Sequence, residues 1–129
     1  MRLLIAEDER GAGSYLVKGF SEAGFTVDWA ETGTDALHQA TENAYDVMIL
    51  DVGLPGMDGW EFMEEYNQLD DNQLAKTVIV MLSTSLNPAD RDKANSISLI
   101  SGFMSKPLTA EKLEELHGQY FKAYNELER

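Results

Sequence analysis

The stretch Val47-Met48-Ile49-Leu50-Asp51 decides the predicted fold of this chain. Four consecutive apolar residues are too few for a helix, and the run ends abruptly at an acid. A short apolar run of this kind is typical of a strand covered on both faces, as in parallel sheets flanked by helices. The stretch therefore predicts a buried strand of an α/β protein that carries Asp51 at its carboxyl end.

Similar runs alternate with longer amphipathic segments along the rest of the chain. Five strands are predicted, at residues 3–6, 25–30, 47–50, 78–82 and 100–104. Five helices are predicted, at residues 10–23, 34–43, 60–69 and 88–95 and, after a Thr109 cap, in the last segment. Such alternation predicts a doubly wound parallel sheet with helices on both faces, since parallel strands need right-handed crossovers. Because no linker or repeat interrupts the pattern, residues 1–129 are predicted to form one domain.

Composition excludes several classes of function. The chain has no cysteine, which rules out disulfides, thiolate metal sites and thiol nucleophiles. Its formal net charge is −13, so direct binding to nucleic acid or to anionic lipid is not expected. The chain shows neither a signal-peptide pattern nor an apolar run of the ~20 residues that cross a membrane. A cytoplasmic protein without membrane contact is predicted.

Chemically active residue types stand at the ends of four predicted strands. These ends carry Glu7-Asp8, Asp51, Ser83-Thr84 and Ser105-Lys106. Ligands of doubly wound sheets bind outside the carboxyl ends of the strands, so these groups are predicted to converge. Converging acids repel one another unless a hard cation compensates them, and Mg²⁺ prefers oxygen ligands. A magnesium site is therefore predicted at this edge of the sheet.

The predicted metal ligands come from two strand ends and the loop after Asp51. Asp8 and Asp51 are expected to bind Mg²⁺ directly, and Glu7 is expected to bind it through a water molecule. The backbone carbonyl of Gly53 is expected to supply a further oxygen. Water molecules and phosphate oxygens are expected to fill the remaining coordination positions of the ion, since Mg²⁺ usually keeps several waters and binds phosphates.

With the ion in place, the other strand ends acquire roles in phosphoryl chemistry. Asp51 becomes a nucleophile toward a phosphoryl group, because the ion screens the approach of two anions. Lys106 adds a fixed positive charge. A hydroxyl donates a hydrogen bond to the attached phosphoryl group. We expect Ser83 in that role because it directly follows the apolar strand, with Thr84 as the alternative.

These residues resemble those of bacterial response-regulator receiver domains, over roughly residues 2–116. The motifs are Glu7-Asp8, Asp51 followed by Leu54-Pro55-Gly56-Met57-Asp58-Gly59, Ser83 after Met81-Leu82, and Phe103 with Lys106-Pro107. The resemblance implies a flavodoxin-like fold with strand order 2-1-3-4-5. It also implies Mg²⁺-dependent transfer of a phosphoryl group to Asp51 from a sensor histidine kinase or a phosphotransfer protein. Slow hydrolysis catalysed by the domain itself would follow.

The same resemblance implies a conformational switch. Ser83 would move toward the phosphoryl group, and Phe103 would swing inward behind it. The surface of the fourth helix, fifth strand and fifth helix would change for a downstream protein target. The Lys106-Pro107 peptide bond is expected to be cis. A monomer or weak homodimer is expected.

Two features depart from the family pattern. Gly53 replaces a larger side chain that is common two positions after the phosphorylated aspartate, which opens the site to water and leaves the phosphoryl lifetime open. Residues 87–101 resemble stand-alone receivers, whereas residues 3–60 resemble receivers that precede a DNA-binding domain.

Two other functions compete with phosphoryl acceptance. A pseudo-receiver would keep the fold as a phosphate-independent interaction module, but the intact acids and Lys106 argue against it. A small Mg²⁺-dependent phosphatase usually carries a second aspartate two residues after the nucleophile, where this chain has Gly53. Trp29 and Trp60 are assigned to packing, since neither has the glycine-rich or basic context of a cofactor site.

Overall fold

The computed structural model describes residues 1–68, 77–84, 88–106 and 109–116. Its strands are β1 Arg2–Ala6, β2 Thr26–Ala30, β3 Val47–Asp51, β4 Val78–Ser83 and β5 Gly102–Ser105. Its helices are α1 Arg10–Glu22, α2 Gly33–Glu42, α3 Gly59–Tyr66, α4 Pro88–Ser96 and α5 Ala110–Leu116. Within these residues the predicted alternation of strands and helices is confirmed.

The strands form one parallel sheet in the order β2-β1-β3-β4-β5. This is the flavodoxin-like order that the resemblance implied. Every residue of β3 is buried, as its continuous apolar run predicts. The chain reverses its direction of travel across the sheet between β1 and β3, so the crevice for a ligand lies at the carboxyl ends of these two strands.

Alternate side chains of the sheet build two separate cores. The core on the α1 side contains Leu3, Ile5, Val47 and Ile49 with Leu16 and Phe20. The core beneath α2 and α3 contains Leu4, Met48, Leu50 and Met81 with Phe62 and Tyr66. Each large apolar side chain buried in this way stabilises the fold by roughly 1.5–3 kcal/mol. No helix in the described part of the chain has the length and apolar character of a membrane crossing.

Most element boundaries differ from the prediction by one to three residues, and three of these differences concern the carboxyl-terminal half of the sheet and α3. β5 begins at Gly102 and not at Ile100, because Ile100 ends a turn in which its N–H donates to the carbonyl of Ile97 at 3.1 Å. β4 continues one residue further, to Ser83, which pairs with Ser105. α3 ends at Tyr66. The predicted end of that helix at Leu69 and the Lys106-Pro107 peptide bond lie outside the described residues.

The loop that follows Asp51 is held against the sheet by the start of α3. The N–H of Gly59 donates to the carbonyl of Val52 at 2.9 Å. A Cβ atom added at Gly59 would lie 2.9 Å from the carbonyl oxygen of Asp51, so glycine permits this close approach. A capping box between Asp58 and Glu61 begins the helix at this point. The backbone on either side of Asp51 is therefore fixed.

Candidate functional site

The register of the sheet brings the predicted acids together. β1 and β3 pair with Ala6 beside Leu50, so Glu7 and Asp51 are neighbours just past the last pair. Glu7 and Asp51 are buried, with 1% and 6% of their surface exposed, whereas Asp8 is exposed. One oxygen from each of these three carboxylates lies within 4.8 Å of the other two. The predicted convergence of the acids is present in the structure.

Lys106 joins this group from the end of β5. Its Nζ donates to Oδ2 of Asp51 at 3.2 Å and also to Oε1 of Glu7. The N–H of Gly53 donates to the other oxygen of Asp51, Oδ1, at 3.1 Å. We call Glu7, Asp51 and Lys106 the Asp51 cluster. It holds two acids and one cation, and only a tenth of the Lys106 side chain is exposed.

The charges of the cluster are distributed unevenly. Burial and then a hydrogen bond shared with Asp51 raise the pKa of Glu7, against the lowering effect of Lys106, to about 8. Burial also acts to raise the pKa of Asp51, but the bonds from Glu7, Gly53 and Lys106 outweigh it and lower that pKa. Around neutral pH, Glu7 therefore holds a proton while Asp51 is ionised. The pKa of Lys106 is raised by its two acidic partners against the opposing effect of burial, so Lys106 stays charged.

When Glu7 is ionised, one atom of the cluster has no hydrogen-bond donor in the described part of the protein. Among the described residues, Oε2 of Glu7 is the buried side-chain atom without a hydrogen-bond partner. An acceptor in that position is satisfied either by a proton or by a cation. The oxygen-only donor set of Glu7, Asp8 and Asp51 fits a hard divalent ion such as Mg²⁺.

The two candidate hydroxyls occupy different surroundings. Ser83 is the last residue of β4 and is buried, and its carbonyl accepts the N–H of Lys106 at 2.9 Å. Thr84 is exposed and lines a cleft of about 470 Å³ together with Glu7, Glu9 and Lys106. Both hydroxyls therefore stand at the edge of the sheet that carries the acids.

Phe103 lies on the face of the sheet opposite to α1. It pairs in register with Met81, and it packs half-buried against the core beneath α2 and α3. Side chains alternate along a strand, so Ser83, two residues after Met81, shares this face with Phe103. The guanidinium of Arg91 in α4 lies 5.7 Å from the centre of the Phe103 ring. The predicted switch residues are thus on one face, beside α4.

Trp29 makes a hydrogen bond that the sequence pattern does not predict. Its ring packs half-buried against the α1-side core, as expected for a packing residue. Its indole Nε1–H also donates to the backbone carbonyl of Glu7 at 2.9 Å. The available signal is a tryptophan one residue before the end of a strand, beside an acidic strand end, since a buried indole N–H needs an acceptor.

The chain is similar to proteins of one family. The model of the response regulator receiver domain matches residues 3–117. The transcriptional activator protein IrlR of Burkholderia pseudomallei is 45% identical over 93 residues, which are 72% of this chain and 38% of that protein. The transcriptional regulatory protein CusR of Escherichia coli is 49% identical over 63 residues, which are 49% of this chain and 28% of that protein. The chain spans less than half the length of these curated relatives.

Solved structures agree with this result. The chemotaxis response regulator CheY4 of Vibrio cholerae has a TM-score of 0.81 and 27% sequence identity, covering 92% of this chain and 96% of that one. The relatives thus include a chemotaxis regulator and transcriptional regulators. The chain belongs to the family of response regulator receiver domains, which act in two-component systems.

Proposed function

We propose that this receiver domain accepts a phosphoryl group on Asp51 in a Mg²⁺-dependent reaction and thereby switches a surface for a protein partner. One observation carries the proposal. The ionised Asp51 lies beside the carboxyl group of Glu7 and accepts a hydrogen bond from the cation Lys106, at the crevice of the sheet. A carboxylate nucleophile, a fixed cation and an oxygen-rich metal position are the parts that phosphoryl transfer requires.

The contacts of Asp51 support its role as the nucleophile. The Gly53 N–H and the Lys106 ammonium keep its carboxylate ionised and oriented. In the transfer step, an oxygen of Asp51 attacks phosphorus while the bond from phosphorus to the donor's leaving group breaks, and that group departs with the electron pair. The product is an aspartyl phosphate. Attack of water on the phosphorus then releases inorganic phosphate and restores the carboxylate.

Glu7, Asp8 and Asp51 are the proposed metal ligands, with the carbonyl of Gly53 as a fourth. When bound, Mg²⁺ would neutralise charge on the phosphoryl oxygens and on the acids. Binding requires that Glu7 release the proton that it holds around neutral pH, so metal affinity should rise with pH. A Cβ added at Gly53 would lie 3.8 Å from Oδ1 of Asp51, so glycine leaves the approach to Asp51 open to water. The lifetime of the phosphoryl group is left open for that reason.

Lys106 and a strand-end hydroxyl are proposed to hold the attached phosphoryl group. The Lys106 side chain already reaches both Glu7 and Asp51, so a phosphoryl oxygen on Asp51 would compete for its hydrogen bonds. Ser83 is our preferred hydroxyl, because its side chain lies on the same face of the sheet as Phe103. A movement of Ser83 can therefore change the position of the Phe103 ring. Thr84 remains the alternative.

The proposed output surface consists of α4, β5 and α5. All described side chains of β5 are half-buried, and α4 buries Ala94. An inward movement of Phe103 would break its contact with Arg91 and change what α4 presents. An element with so little buried apolar surface can shift at small energetic cost. The surface is therefore suited to a downstream protein target.

The proposed partners follow from the family. A sensor histidine kinase or a phosphotransfer protein would supply the phosphoryl group, and a downstream protein would read the switched surface. We propose that residues 1–129 act as a single cytoplasmic domain, as a monomer or weak homodimer. The net charge of −13 disfavours direct contact of this domain with nucleic acid.

The proposal is tested by intact-mass measurement after incubation with acetyl phosphate, with and without Mg²⁺. We expect a phosphoryl adduct that needs Mg²⁺ and is absent from Asp51→Asn. Asp28→Asn is the matched control, because Asp28 is a half-buried strand acid in a separate ion pair with Arg2. It should be phosphorylated like the wild type. A folded wild-type protein that forms no adduct would favour the pseudo-receiver instead.

A further inference from the structure

The peptide that joins Glu7 to Asp8 is held by β2. The N–H of Glu7 donates to the carbonyl of Ala30 at 3.0 Å. The carbonyl of Glu7 accepts the indole N–H of Trp29 at 2.9 Å. Both polar groups of the Glu7 backbone are therefore bound to the same neighbouring strand, immediately before Asp8.

The indole bond replaces a bond that the sheet cannot supply. The pairing of β1 with β2 ends at Ala6 and Ala30. In a parallel sheet the N–H and the C=O of one residue point to the same neighbour, and the C=O pairs with an amide further along that neighbour. For Glu7 that amide would lie beyond the end of β2. The Trp29 side chain reaches forward and donates in its place, which satisfies an otherwise unpaired carbonyl.

Helix α1 leaves space for the Trp29 indole at Gly13. Gly13 is buried, and a Cβ atom added there would lie 2.1 Å from Cζ2 of Trp29. No side chain can occupy that space while the indole keeps its position. Three parts of the chain therefore meet at one point: α1 leaves the space, β2 supplies the donor, and the residue that follows β1 supplies the acceptor.

We infer that Trp29 is a positioning residue for the divalent-cation site, which fixes the Glu7–Asp8 peptide so that both carboxylates keep their places. This inference rests on the proposed function. Groups that orient metal ligands raise metal affinity because the ligands lose less freedom on binding. The indole touches neither the reacting atoms nor the proposed ion, so its effect is on ligand placement alone.

The first test is the Mg²⁺ affinity of Trp29→Phe, measured by isothermal titration calorimetry at constant pH. Phenylalanine keeps the ring and removes the donor, so we expect an affinity about threefold to tenfold weaker than that of the wild type. Val27→Ala is the control. Val27 is two residues earlier on the same face of β2 and packs against the same core, so its truncation should lower the melting temperature and leave Mg²⁺ affinity unchanged.

A second measurement keeps the inference testable if Trp29→Phe does not fold. The chain has two tryptophans, so Trp60→Phe leaves Trp29 as the one indole N–H in a proton–nitrogen NMR spectrum. We expect this resonance to exchange slowly with water and to shift on Mg²⁺ titration, with the midpoint found by calorimetry. A fast-exchanging resonance that Mg²⁺ leaves in place would overturn the inference.

The outcomes separate this inference from the proposed function. Wild-type affinity in a folded Trp29→Phe variant would show that Trp29 only packs, and the proposed function would stand. A wild-type protein that binds no Mg²⁺ would overturn both. Weaker binding in Trp29→Phe together with unchanged binding in Val27→Ala would support the positioning role.

Discussion

Two clusters of charged residues lie half-buried or buried on this sheet, and they differ in charge balance. The Arg2 cluster consists of Arg2, Asp28 and Tyr45. The Nε and Nη2 atoms of Arg2 donate to Oδ2 of Asp28 at 3.1 and 3.0 Å, and the Tyr45 hydroxyl donates to the same oxygen at 2.7 Å. One cation meets one acid. The Asp51 cluster sets two acids against one cation and leaves Oε2 of Glu7 without a partner.

The two clusters show how an ion pair that only stabilises the fold differs from a candidate functional site. In the Arg2 cluster, burial and then the bond to Asp28 raise the pKa of Tyr45, so its hydroxyl stays protonated and the network stays intact. In the Asp51 cluster, burial forces a proton onto Glu7 and leaves Asp51 ionised. The Arg2 cluster pairs one cation with one acid, so it needs no further charged group. The Asp51 cluster has one acid more than it has cations, so it takes up either a proton or a metal cation at the crevice, and Asp51 stays ionised as a candidate nucleophile.

The largest expected effect comes from Asp8, the exposed acid beside the Asp51 cluster. Asp8→Asn should weaken Mg²⁺ binding at least about tenfold, since it removes a proposed direct ligand. Because Asp8 is exposed, thermal stability without metal should change little. Asp28→Asn should do the opposite, with lower stability and unchanged affinity. Calorimetric titration and thermal melts of both variants check this, and equal Mg²⁺ affinity in Asp8→Asn and wild type would remove Asp8 from the site.

The pH dependence of stability should also separate the clusters. The pKa of Glu7 is about 8 in the folded state against 4.5 ordinarily. Between these values the folded state keeps a proton that the unfolded state has released, so the free energy of unfolding falls as pH rises through this window. Asp51, whose pKa is lowered, contributes only in acid, where its effect has the opposite sign. We expect a fall on the order of 1–3 kcal/mol between about pH 5 and pH 8.

This pH prediction is checked by urea denaturation of the metal-free protein, with a chelator present, at several values of pH. Glu7→Gln cannot ionise and is the control. Its profile should be flatter than that of the wild type over the same window. If the free energy of unfolding depends on pH in the same way in wild type and Glu7→Gln, the pKa of Glu7 is not raised in the folded protein.

Arg2 gives the smallest expected effect. Arg2→Ala removes two hydrogen bonds to Asp28 and the contact of the guanidinium with the Tyr45 ring, 5.4 Å from its centre. The Arg2 side chain is 42% exposed, so solvent screens the pair and we expect a loss of only about 0.5–1.5 kcal/mol. Denaturant titration measures this loss. Mg²⁺ affinity should not change, and a large change there would mean that the two clusters are coupled.

The sequence predicts the Asp51 cluster better than it predicts the electrostatics of that cluster. Glu7, Asp51 and Lys106 each follow an apolar run, and parallel strands place their carboxyl ends at one edge, so convergence follows from pattern alone. The contact of Lys106 with both acids depends on side-chain reach across β3 and β4, which no pattern encodes. The proton on Glu7 depends on burial, which requires the folded structure.

The start of β5 and the hydrogen bond of Trp29 could not be predicted from the sequence either, because both depend on the folded structure. The apolar character of the segment predicts a strand that begins at Ile100. Ile100 instead closes a turn with Ile97, so β5 begins at Gly102. Trp29 is apolar enough for packing to explain it. Its role as a donor arises only because β2 ends one residue later and leaves the Glu7 carbonyl without a partner.

The central claim is that Asp51 is the phosphoryl acceptor, and chemical trapping tests it most directly. The protein is incubated with acetyl phosphate and Mg²⁺ and then reduced with sodium borohydride, which converts an aspartyl phosphate to homoserine with release of phosphate. Peptide mass mapping locates the new residue. We predict homoserine at position 51 with Mg²⁺ and none when the metal is chelated. Homoserine at Asp8 or another acid, with Asp51 intact, would contradict the account.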